Sequence, residues 1–131
     1  MWQDHPIFGV GASGFPYYAY DYLDPNMPLN LAHVKEAHTL QVKILAEEGI
    51  IGITIALWFF VTVLFDSIRS IKTTDDDFLK KVQISLVALF IGFLVNFTFA
   101  SDLLNNNFWI TVGLLYALPL IAMKEQSPGE T

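Results

Sequence analysis

Histidine and carboxylate are the side chains best suited to moving protons near neutral pH, and this 131-residue chain sets His38 and Glu47 just ahead of a long apolar run. Lys35 and Lys43 lie beside them and could bind an anionic group, although a lysine in water next to a membrane needs no further role. If one unbroken helix carries them all, His38, Val42, Leu45 and Gly49 share a face, and Glu47 falls nearly opposite His38 at about 100° per residue. On this geometry the base and the acid do not touch, and Glu47 reads as a hydrated carboxylate ending the segment. By residue type alone His38 reads as an interfacial or capping residue before it reads as a base. His33 makes no metal pair at helical spacing, and His5, beside Pro6, reads as structural. The absence of cysteine excludes both a disulfide framework and a thiolate metal site.

Gly9-Val10-Gly11-Ala12-Ser13-Gly14 satisfies the glycine pattern of dinucleotide sites, which needs a strand before it and a helix after it. Pro6 and Pro16 flank it, so no helix is expected to start there in the required way. The reading is a glycine turn, with backbone amides able to approach a phosphate. Phe15, Tyr17, Tyr18, Tyr20 and Tyr22 follow, suited to stacking on a sugar and better suited to the lipid headgroup level.

These residues must be held by something, and the composition says what. Apolar residues make up 53% of the chain, charged residues only 15%, and the mean hydropathy is +0.46, a combination that favours a membrane protein. The net charge of −6 with sparse, scattered Lys and Arg argues against nucleic acid as a partner. The predicted fold is all-α: a polytopic integral membrane protein with an extracytoplasmic loop over 1–48 followed by three transmembrane helices. Within the loop, Asn30 is a cap for an interfacial helix over about 31–48. The spans are predicted at about 49–68, 82–100 and 107–123, with Pro119 near the end of the third, where a kink costs least. A soluble all-α domain is disfavoured, because three apolar runs cannot all be buried in so short a chain.

Orientation follows from the basic residues. Arg69, Lys72, Lys80 and Lys81 fall between the first two runs and Lys124 follows the third, so the loop over 69–81 and the tail over 124–131 are expected in the cytoplasm. Asp75-Asp76-Asp77 does not overturn this, since acidic residues count little in the rule. Asn96 is then expected inside the second span, and Asp102, Asn105, Asn106 and Asn107 in the next outside turn, where the hairpin reads as part of a substrate rim or simply as a turn. Met1-Trp2-Gln3-Asp4-His5-Pro6 has no basic start followed by an apolar core, so it is not read as a signal peptide; the expectation is a piece of a longer protein.

His38, Leu45, Glu47, Gly49 and Gly52 together resemble the segment that closes the large periplasmic loop of the O-antigen ligase and O-antigen polymerase family of bacterial membrane proteins. His5-Pro6-Ile7-Phe8-Gly9-Val10-Gly11 resembles the turn that opens that loop. The resemblance spans nearly the whole chain, which would correspond to the C-terminal part of such a protein. Thr39 and Lys43 depart from the family pattern, where Asn or Ser and Gln or Glu are usual, and this bears on sugar or lipid specificity.

The resemblance implies a glycosyltransferase of the bacterial inner membrane. It would move a glycan from a polyprenyl-pyrophosphate donor to a lipid or glycan acceptor at the periplasmic face, in cell-surface polysaccharide biosynthesis, without a metal or other cofactor. His38 would be the catalytic base. Lys35, Lys43 and Glu47 are candidates for substrate binding. Arg69 is the only arginine and is expected on the cytoplasmic side, so the cations that hold pyrophosphate would come from membrane helices of the same protein lying before this sequence. The reading set against this is a non-catalytic polytopic membrane protein or transporter fragment, with the loop as a lid and the spans as scaffold.

Overall fold

A computed structural model of the chain describes residues 1–22, 37, 39–100 and 105–126. Among the described residues there is no strand. The helices are α1 (Phe15–Tyr18), a 3-10 turn (Ala19–Tyr22), α2 (Leu40–Glu47), α3 (Gly49–Thr73), α4 (Asp77–Asn96) and α5 (Asn106–Gln126). Pro16 admits a four-residue helix, far short of the one a dinucleotide site requires. It occupies the first turn of α1, where its fixed φ suits the helix and its missing N–H would have had no partner.

The expected interfacial helix over 31–48 is shorter in its described part. Asn30 and residues 31–36 lie outside the described residues, as does His38, and the helix begins at Leu40 after an extended Thr39. Thr39 makes no side-chain cap; instead the Leu40 N–H donates to the Phe97 carbonyl at 3.1 Å, just past the end of α4. α2 does not run on into the apolar helix. Gly49 takes a φ of +67°, a left-handed conformation that breaks the helix between Glu48 and α3.

α3 and α4 are both long and apolar enough to cross a membrane, and only 17% and 11% of their most apolar stretches are buried within the molecule. Helices apolar on nearly all sides and this little covered need apolar surroundings. The helical part of the apolar stretch 106–121 is shorter by the same measure. Asn105 caps α5, its side-chain oxygen accepting the Asn107 N–H at 2.9 Å.

The charged stretch expected as a loop over 69–81 is mostly helix. Arg69 and Lys72 belong to α3, Lys80 and Lys81 to α4, and residues 74–76 form the break. Charge stops an apolar run without stopping a helix; α3 runs on to Thr73, and Asp76, whose carboxylate accepts the Leu79 N–H at 2.6 Å, starts α4. Gln83, 2% exposed, ties the turn together through Thr74 and Ser70. At its other end α4 stops at Asn96, whose carbonyl accepts the N–H groups of Phe99 and Ala100. Asn96 is thus the last residue of the helix and not an interior position.

The chain forms two compact units, one of residues 59–95 with α5, the other of the described residues up to Trp58 with 96–100. The first of these has an aromatic core. Phe108 and Phe90, both fully buried, stack with ring centroids 5.8 Å apart, and Phe60 and Phe93 meet Phe108 edge-on. The second is built around the junction of α2 and α3.

Candidate functional site

The two stretches singled out in the sequence come together at that junction. Residues 5–11 turn across the end of α2 and the start of α3: Val10 N–H donates to the Ala46 carbonyl at 2.9 Å and Gly11 N–H to the Glu47 carbonyl at 2.8 Å. In the other direction, Ile50 N–H donates to the Pro6 carbonyl at 2.9 Å and Ile51 N–H to the Ile7 carbonyl at 3.4 Å. The first N–H groups of a helix have no partner within it, so the turn supplies what α3 lacks.

Glycine makes this approach possible. Gly9 and Gly49 both have φ in the left-handed region, +66° and +67°. A Cβ on Gly9 would strike the Glu47 carbonyl, and one on Gly49 would strike the Ile7 carbonyl. Each glycine therefore lies against the backbone of the other's segment.

Glu47 is 6% exposed, and its Oε1 accepts the Phe15 N–H at 3.1 Å. It is not the hydrated carboxylate its place in the sequence suggested. Its side-chain oxygen thus sits at the start of α1 and ties the end of the glycine turn to α2. The neighbouring Glu48 is the exposed carboxylate of the pair. Sequence reasoning missed this division because nothing local distinguishes two adjacent glutamates.

Lys43 lies half-buried on α2, one turn before Glu47, and no ion pair joins them among the described residues. Lys35 and His38 lie outside the described residues. Of the four candidate site residues, then, Lys43 and Glu47 are located, on one helix.

The glycine turn offers less to an anion than its sequence promised. The amides of Gly9, Val10, Gly11 and Gly14 all donate to carbonyls of the chain, to His5, Ala46, Glu47 and Gly11 respectively. No strand leads into it among the described residues, as a dinucleotide site requires. A shallow, open hollow of about 170 Å³ lies on it, lined by His5, Pro6, Ile7, Phe8 and Gly9. Among the described residues no group of His, Asp and Glu is arranged to hold a metal.

Tyr22 and Asp4 also interact: the neighbouring phenol holds the Asp4 carboxyl below its ordinary range, and the carboxyl in turn raises the Tyr22 phenol above its own. The geometry is that of a folded loop fastened to the head of an apolar helix.

No family model, curated protein or solved structure matches this chain. Its functional reading therefore rests on its own residues, above all on the union of the two sequence motifs at Glu47 and Gly49.

Proposed function

We propose that this chain is the C-terminal part of an O-antigen ligase or polymerase-like glycosyltransferase of the bacterial inner membrane. It transfers a glycan from a polyprenyl-pyrophosphate donor at the periplasmic face, onto a lipid or onto a growing glycan. The observation that carries the reading is the hydrogen-bonded docking of residues 5–11 on Ala46, Glu47, Ile50 and Ile51. Two segments that resemble the opening and the closing of one periplasmic loop lie together at the head of an apolar helix, and this contact supports the reading.

In this reading α3, α4 and α5 cross the membrane, residues 74–76 face the cytoplasm with Arg69, Lys72, Lys80 and Lys81 around them, and the C-terminus is cytoplasmic. His38, directly before Thr39 and α2, is the base that takes the proton of the acceptor hydroxyl. Lys35 and Lys43 attract the pyrophosphate, and the remaining cations come from preceding membrane helices. Glu47 acts by holding the loop in place, a positioning role.

The test is His38→Ala in the full-length gene, with glycan transfer and membrane insertion measured together. Loss of transfer with normal insertion is the expected result. Retained transfer overturns the catalytic assignment and leaves the second reading, a membrane protein with a fastened loop and no chemistry, which the internal satisfaction of the glycine-turn amides favours.

A further inference from the structure

We propose that the turn carrying Ile7 and Phe8 is a lipid-interface anchor, seated in the headgroup and upper acyl region around the head of α3. The proposal rests on the membrane reading given above and adds a partner for a loop surface that the reading leaves in water.

Phe8 is 74% exposed and Ile7 53%, an unusual state for two consecutive large apolar side chains on a tightly bonded turn. Their place is fixed. The carbonyls of Pro6 and Ile7 accept from Ile50 and Ile51, so the turn lies against the first residues of α3. Ile50 and Ile51 are themselves exposed, and the outer surface continues down the helix through Ile55, Leu57 and Trp58. Ile7 and Phe8 thus extend the apolar surface of a helix able to cross a membrane, at the end where that helix begins.

Backbone is the usual obstacle to placing a loop near lipid, because an unpaired N–H or C=O is costly away from water. Here the turn is partly paired: the carbonyls of His5, Pro6 and Ile7 accept, two of them from the head of α3, and the amides of Gly9, Val10 and Gly11 donate, while the N–H groups of Ile7 and Phe8 and the Phe8 carbonyl keep the turn at headgroup level, within reach of water. A partly paired backbone bearing exposed Ile and Phe is suited to the headgroup region, where apolar side chains enter lipid while backbone groups and polar neighbours such as Asp4 and His5 stay in water.

The chain has no cysteine, so single cysteines report without background. Phe8→Cys, Ala12→Cys and Leu57→Cys, each labelled with the fluorophore NBD, would be reconstituted into vesicles of phosphatidylcholine and phosphatidylglycerol. Ala12 is an exposed position of the same segment and Leu57 an exposed position of α3. The expected result is blue-shifted emission at position 8, lost to shallow doxyl lipids and resistant to aqueous iodide, with position 12 quenched by iodide and position 57 reached by deep doxyl lipids. Iodide quenching at position 8 with position 57 in lipid overturns the anchor alone. Protection of position 8 from both quenchers overturns it in favour of a covering protein segment, and iodide quenching at position 57 overturns the membrane reading together with the anchor.

Discussion

The side chain of Glu47 accepts a hydrogen bond from the backbone N–H of Phe15, 32 positions earlier in the chain, at 3.1 Å. That bond makes a carboxylate at the end of α2 responsible for the conformation of the glycine turn. Glu47→Ala leaves the Phe15 N–H without its acceptor, and a loss of about 1–3 kcal/mol is expected. Glu47→Gln keeps an acceptor oxygen and should lose less. Thermal unfolding of the two variants in detergent checks the order; equal stability of Glu47→Ala and the parent would show that the bond does not hold the turn.

Gly9 and Gly49 make a paired prediction. Alanine at either position meets a backbone carbonyl and a left-handed φ, for which the conformational cost alone is on the order of 1–3 kcal/mol. Gly92, in the middle of α4, has nothing within 4 Å of a Cβ, so Gly92→Ala should be neutral or stabilising by up to about 1 kcal/mol. Limited proteolysis of the amino-terminal segment should quicken in Gly9→Ala and Gly49→Ala and stay unchanged in Gly92→Ala.

The aromatic core of the other unit should be far less tolerant than its surface. Phe108 is fully buried against Phe90, and Phe108→Ala should cost about 3–5 kcal/mol. Phe78, 73% exposed at the start of α4, should cost little on the same substitution. Unfolding midpoints that move equally for the two variants would be incompatible with this core.

The Asp4 and Tyr22 side chains together predict a dependence on pH at both ends of the scale. The Asp4 pKa is lowered in the folded chain, so its contribution is present above the ordinary carboxyl value of 3.8 and disappears as pH falls through the lower folded value. The Tyr22 pKa is raised, so its contribution is present below the ordinary value of 10.0 and is lost as pH rises through the folded value. Ultraviolet titration of the tyrosines in Asp4→Asn should show one phenol ionising at lower pH than in the parent. An unchanged titration would mean the two side chains do not interact in solution.

Hydropathy made the apolar helices legible, because a run such as the one after Gly49 can be satisfied only as a helix with apolar surroundings. Their ends were less legible. Arg69, Lys72, Lys80 and Lys81 interrupt the apolar pattern, yet each favours helix, so the break narrowed to residues 74–76 around the Asp76 cap. The short α1 around Pro16 was not legible either, since the effect of a proline depends on which turn of a helix it occupies.

By itself, then, the sequence determined the helical class and the apolar character of α3 and α4, and it singled out the stretches around Gly9 and Gly49. Those properties are local: they follow from side-chain polarity and from residues a few positions apart. Only the tertiary structure decided that residues 5–11 seat on the head of α3, that Glu47 is buried while Glu48 is exposed, and that Gly9 and Gly49 face each other's backbone. Each of those depends on a hydrogen bond or a steric limit between segments far apart in the chain, and a pairing of that kind leaves no period or composition in the sequence to be read.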